Sequence, residues 1–274
     1  KVMSMMNIKS AVHKYMTMDE IKSAAPSIFT EKAMETTSDK YTHIPTGRII
    51  SDMELLGWKV VDAKQVKVRA QRKMGYQKHL LVFRNEDVVI NGSDGDTVYP
   101  QILMTNSHDG LSSFHFKAGL FRLICSNGLV IADKEFEDAK IRHKGYTFEE
   151  LQETIKQLTL KLPLTVESMN KMNQVELSMD QALEFAQKAL ELRHPEKNGH
   201  RIEVNLEELL QAQRQEDDGM SVWKVFNRVQ EKIVSGDYKY ATRKSSRRAK
   251  PLKSFIRDTA INEQMFSLAM EYCN

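Results

Sequence analysis

The apolar pattern changes its period near residue 145, and this limits the folds open to the chain. Between Trp58 and Ala132 short runs alternate or are continuously apolar; beyond Thr147 apolar residues recur at helical spacing. Trp58–Arg69 places Val60, Val66 and Val68 among Lys and Gln, which reads as a strand. Gln71–Gly75 is a turn signal, and Gln77–Arg84 is a second strand, with Leu80 and Val82 on one face and His79, Leu81 and Phe83 on the other. The two predict a hairpin with a basic, exposed face. Asn91–Asp96 is a loop by turn chemistry, Val98–Met104 and Ser113–Ile124 are further strands, and Asn127-Gly128 turns into a short strand at Leu129–Ala132.

Helices flank these strands. Thr17 with Glu20 predicts a capping box opening a short helix that Pro26 ends. Pro45 suits the first turn of a helix whose apolar face is Ile49, Ile50, Met53, Leu55 and Leu56, stopped at Gly57. Thr147 with Glu150 starts a helix to about Leu162, Pro163 interrupts it, and helix formers continue over Val166–Arg193 until His194-Pro195. Leu206–Arg214, Met220–Val234 and Phe255–Tyr272 predict three more helices, with Ser235–Lys253 as a polar, basic loop. The expected class is α+β: a small twisted antiparallel sheet with flanking helices followed by a helical C-terminal region. The expected divisions are an N-terminal helical arm over 1–40, an α+β core over 41–145 and a helical region over 146–274 that contains the basic segment 239–257.

The 274 residues include 41% hydrophobic and 28% charged, an ordinary globular composition. Apolar stretches reach about five residues, as at Gly128–Ala132, so no membrane span is expected. The Met-rich start lacks the apolar core of a signal peptide. Two cysteines, Cys125 and Cys273, make neither a disulfide framework nor a Cys-rich zinc site, so a reducing, cytoplasmic setting is expected. The chain contains no Gly-x-x-x-x-Gly-Lys, Gly-x-Gly-x-x-Gly or His-Glu-x-x-His, and no cofactor is called for.

Charge is segregated. Lys59–Arg84 holds eight basic residues against Asp62, and Lys239–Arg257 holds eight with no acid. The windows carry +7 and +8 of a net +3, leaving −12 for the rest. A basic footprint on an acidic chain favours a polyanion, since local potential steers phosphate. Aromatics lie in or beside both windows: Trp58 and Phe83 suit the core, whereas Tyr76, Tyr238 and Tyr240 are candidates for stacking on unpaired bases. Arg122, inside an apolar strand, needs either a carboxylate or a phosphate.

The densest chemical cluster is Met104-Thr105-Asn106-Ser107-His108-Asp109-Gly110. His108 and Asp109, with His115 or His143, could ligate a metal or form an acid/base pair, but a metal needs three or four converging ligands. The competing reading is a turn whose side chains bond locally. Cys125 has no identified base and reads as a buried thiol.

Several runs also carry a likeness: Tyr41-Thr42-His43-Ile44-Pro45-Thr46, Leu56-Gly57-Trp58, Gln77-Lys78-His79-Leu80 with Phe83-Arg84, Leu103–Gly110, Ala118–Leu129 and Arg257-Asp258. Over roughly residues 38–272 the chain resembles a phage- and plasmid-borne family of unknown function that includes the YubP, YfjQ and YafZ proteins. The resemblance implies a mobile-element context, near genes that handle single-stranded DNA or counter host defence, in the cytoplasm of a bacterial host. Its signature positions here are Asn106, His108, Asp109, Gly110, Arg122, Asn127 and Gly128, and it supplies no catalytic residues.

Charge and resemblance together predict an ATP-independent nucleic-acid-binding protein, preferring single-stranded DNA, oligomeric, and acting by annealing or strand protection in recombination or element establishment. Lys64, Lys67, Arg69, Arg72, Lys73 and Lys78, with Tyr76, are expected to form one wall of a basic groove. Arg243, Lys244, Arg247, Arg248 and Lys250, with Tyr240, are expected to form the other, with Arg122 as a further phosphate contact. The alternative is an anti-defence or regulatory factor whose basic surface meets a host protein. A lesser alternative is a metal-dependent nuclease centred on His108, Asp109 and His115.

Overall fold

The computed structural model describes residues 14–35, 37, 43–88, 90–91, 97–109, 114–122, 127–130, 140–141, 146–196, 199–242 and 245–274. The elements run α1 (Met18–Ala24), α2 (Thr46–Leu55), β1 (Lys59–Gln65), β2 (His79–Arg84), β3 (Ile90–Asn91), β4 (Thr97–Asn106), β5 (Phe114–Arg122), β6 (Asn127–Val130) and β7 (Lys140–Ile141). They continue with α3 (Phe148–Gln174), α4 (Met179–Arg193), α5 (Leu206–Leu210), α6 (Val222–Ser235), β8 (Lys239–Thr242), β9 (Ser245–Arg248) and α7 (Phe255–Glu271). The chain is therefore α+β. It divides into two compact units; the chain passes from the first to the second inside α3, between Leu162 and Pro163, and β6 also belongs to the second. Among the described residues, no helix is long and apolar enough to cross a membrane.

In the first unit β1, β2, β4 and β5 form an antiparallel sheet in that order, with β7 on β5. β2 is interior, and all six of its residues are buried. The expected basic hairpin face is corrected in part: the exposed cations lie on β1 and on the connection after it, while β2 is core on both faces. Arg84 shows this most clearly, being 8% exposed, with an Nη2 that donates to Gln101 Oε1 at 3.4 Å. Burial pushes its guanidinium down to about 10, against the opposing pull of Asp62. Its charge lies inside the sheet and not on an exposed hairpin face.

Apolar spacing decides which faces close this core. Ile49, Ile50 and Met53 of α2 are buried, as are Trp58, Phe83, Ile102, Met104 and Phe116. In the first half of α3, Leu151, Ile155, Leu158 and Leu162 recur at helical spacing and are buried. The capping box at Thr17 forms as expected, Ile21 and Ile28 are buried, and Met16 N–H donates to Val60 C=O.

Pro163 does not end its helix; α3 runs on to Gln174. A proline removes one backbone donor from a helix, and a helix with a packed face tolerates that loss. The break comes instead after Gln174, where Glu176 pairs with Ser221 as an isolated bridge and Ser178 with Gln181 caps a fresh helix.

In the second unit α4, α6 and α7 pack on one another around Phe185, Phe226 and Phe266, with Trp223 stacked on Phe226 at 6.1 Å. β6 lies against α7. The expected loop over Ser235–Lys253 contains a hairpin, β8–β9, in register Lys239↔Arg248 to Thr242↔Ser245. Its strands have little β-branched alternation, so sequence hides it. Pairing distant in sequence makes it: Glu203 bridges Ala241, and Leu252 N–H donates to Val234 C=O.

Gly236 closes α6 with φ +80, and a Cβ there would sit 2.5 Å from the Lys250 carbonyl carbon. Gly236→Ala is expected to cost about 2–4 kcal/mol, from the left-handed backbone and the clash together. A melting curve within a degree of the natural chain's would show that this close approach does not matter.

Candidate functional site

The first expected wall is built on the connection between β1 and β2. Val66 N–H donates to Lys78 C=O at 2.8 Å, extending the hairpin, and Gln71–Lys73 then makes a 3₁₀ turn. Lys64, Lys67, Arg69, Arg72 and Lys73 are exposed, and Tyr76 and Lys78 are half-exposed. Lys64 spends its charge on Asp62 at 2.7 Å. Among the described residues, none of Lys67, Arg69, Arg72, Lys73 and Lys78 has a carboxylate in salt-bridge range. Five cations in a short segment repel one another, so an anion bound there relieves that repulsion.

The second expected wall belongs to the other unit and is less uniform. Arg247 and Lys250 are exposed, with Arg247 Nε donating to Ser245 Oγ at 3.1 Å. Arg248 pairs with Asp237, so part of its charge is already answered. Tyr240 is half-buried, its ring 5.2 Å from that of His194. Tyr238 is corrected as a stacking candidate. It is fully buried, its hydroxyl lies 2.8 Å from His194 Nε2, its ring takes the Arg193 guanidinium, and burial pushes its pKa up to about 12. Arg122 ends β5, and Asn127 and Gly128 open β6. Gly110, Cys125, His143, Arg243 and Lys244 lie outside the described residues.

The signature segment leads inward. Strand register puts His79 beside Asn106, and both reach Thr46 at the start of α2. Asn106 Nδ2 donates to Thr46 Oγ1 at 3.1 Å, while His79 Nε2 and His108 Nε2 lie 3.0 and 3.4 Å from the same oxygen. One set of protons satisfies all three contacts. His79 Nδ1–H donates to Gln77 C=O at 3.2 Å, leaving Nε2 to accept from the Thr46 hydroxyl. The two lone pairs of Thr46 then accept from Asn106 and from His108 Nε2–H. The His43 ring stands 4.6 Å from that of His108, and its Nε2 donates to Thr30 C=O at 2.9 Å. Burial holds His79 down to about 4, so it is neutral at pH 7.

Three of the runs that carry the resemblance, at 41–46, 77–80 and 103–110, therefore meet at one oxygen atom. Thr46 and His79 were missed as members of this group because their partners are 33 to 62 residues away, and His43 because the ring it meets, that of His108, is equally remote in sequence. The available signal was their place inside those runs.

The group is a buried polar junction. Ser27 Oγ lies 3.2 Å from His79 Nδ1, a nucleophile-to-base distance, but Ser27, His79, Thr46 and His108 all have no exposed surface. His108 and Asp109 also part company: Asp109 is half-exposed and accepts from Ser107 Oγ at 2.5 Å. His115 faces Thr105 in register on β5. Among the described residues, no three His, Cys, Asp or Glu side chains are grouped to hold a metal ion. The junction also fastens the basic segment: His108 N–H donates to Tyr76 C=O at 3.1 Å, and Met34 N–H donates to His108 C=O.

Fold and site define an α+β protein whose sheet carries a cationic connection tied to a buried histidine junction. The chain belongs to the family described as Domain of unknown function (DUF932), which matches residues 33–256. It is similar to the UPF0380 proteins YfjQ and YafZ of Escherichia coli strain K12, at 28% identity in each case, over 93% of this chain and 90% of theirs. No solved structure matches the chain.

Proposed function

We propose that this chain is an ATP-independent nucleic-acid-binding protein of a phage or plasmid that prefers single-stranded DNA and acts in recombination or element establishment. The observation that carries the reading is the run of cations Lys67, Arg69, Arg72, Lys73 and Lys78, exposed except for half-exposed Lys78, without carboxylate partners among the described residues. Such groups neutralise phosphates and release counterions whatever the base sequence. Arg247 and Lys250 supply a second, smaller cationic surface. An annealing protein keeps bases exposed for pairing, and backbone contacts of this kind leave them so.

The test is fluorescence anisotropy of a labelled single strand and its duplex, each titrated with the chain at two salt concentrations. Binding that favours the single strand and weakens steeply with salt is the expected result. No binding to either at low salt would overturn it and turn the search to an acidic host protein.

A further inference from the structure

The tip of the β1–β2 connection carries an apolar side chain among its charges. Met74 is 55% exposed, follows exposed Arg72 and Lys73, and precedes half-exposed Tyr76. The tip is also held in shape. Met74 N–H donates to Gln71 C=O at 3.0 Å and Tyr76 N–H to Lys73 C=O at 3.2 Å. Gly75 reverses the chain at φ +90; its N–H donates to Gln77 Oε1 at 2.6 Å and its C=O accepts from Thr30 Oγ1 at 2.5 Å. A loop fixed in this way loses little entropy on binding.

Other large apolar side chains are exposed among the described residues, but Met74 is the one that directly follows two exposed cations, at the tip of a turn beside a tyrosine. A thioether is polarisable and unbranched, and it makes favourable contacts with aromatic rings. Apolar side chains, methionine among them, act as wedges between base steps when neighbouring cations hold the backbone. Every base has a π-face, so the contact tolerates any sequence.

We propose that the loop tip is a base-contacting wedge for unpaired DNA, in which Arg72 and Lys73 hold phosphates and Met74 enters between adjacent bases beside Tyr76. This rests on the nucleic-acid reading above and adds a mode of contact to it. The wedge spreads stacked bases in a strand that is already single, and a paired duplex resists it by its stacking energy.

The experiment uses the full chain and a single strand with 2-aminopurine between adenines, a base whose emission rises when it is unstacked. Binding of the natural chain is expected to raise the emission. Met74→Ala is expected to weaken binding about five-fold and to remove the rise, while the salt slope stays the same. Met74→Leu is expected to restore both. Equal affinity and an equal emission rise in Met74→Ala would overturn the wedge and leave the phosphate reading standing. Failure of the natural chain to bind the strand at low salt would overturn both.

Discussion

A chain carrying Lys67→Ala, Arg69→Ala, Arg72→Ala and Lys73→Ala together is expected to bind single-stranded DNA about a hundredfold more weakly at about 0.1 M salt. Each phosphate contact on a single strand contributes about 0.7 to the slope of log affinity against log salt, so four contacts remove about 3. The four side chains are exposed and take part in no ion pair among the described residues, so their removal leaves the core intact. An unchanged melting curve alongside the lost affinity is part of the expected result. Lys64→Ala separates the charge argument from mere composition. Its cation faces Asp62 at 2.7 Å, so Lys64→Ala made together with Asp62→Ala leaves the net charge unchanged and is expected to change affinity little. A quadruple variant with the natural salt slope would remove the β1–β2 connection from any nucleic-acid surface.

The second large effect concerns the histidine junction. Thr46→Val keeps the shape of the side chain but deletes the oxygen on which Asn106, His79 and His108 converge. Buried donors and acceptors left without that partner are expected to cost about 2–4 kcal/mol. Acid attacks the same point. His79 is held down to about 4 in the folded chain by burial, against an ordinary value of 6.5. The unfolded chain therefore takes up the proton first as pH falls, and stability declines from about pH 6.5 to about pH 4, by on the order of 3 kcal/mol. His43 is lowered in the same direction by burial. The two tryptophans fall one in each unit, so Trp223→Phe leaves Trp58 to report on the first. Urea unfolding followed by Trp58 emission at pH 7 and pH 5 is expected to show the loss, and His79→Gln to flatten it. Equal midpoints at the two pH values in the natural chain would mean that His79 accepts a proton where it stands.

Much of the fold was legible locally. The capping box at Thr17, the helix after Pro45, the pairing of β1 with β2 and the final helix all rest on signals within a few residues. Local signals failed where long-range contact outweighed them: Pro163 inside a packed helix, the β8–β9 hairpin held by Glu203 and Leu252, and Tyr238, whose polar neighbours in sequence conceal its full burial.

The sequence by itself determined the α+β class, the segregation of charge and the family likeness, because period, composition and motif are properties of neighbours along the chain. Only the tertiary structure decided which charges are free. It buried Arg84 inside the sheet, set Asp62 against Lys64 and Asp237 against Arg248, and left Lys67 to Lys78 without carboxylate partners among the described residues. It also set His79 beside Asn106 and brought both onto Thr46, because strand register fixes which side chains meet, and register depends on residues far apart in sequence.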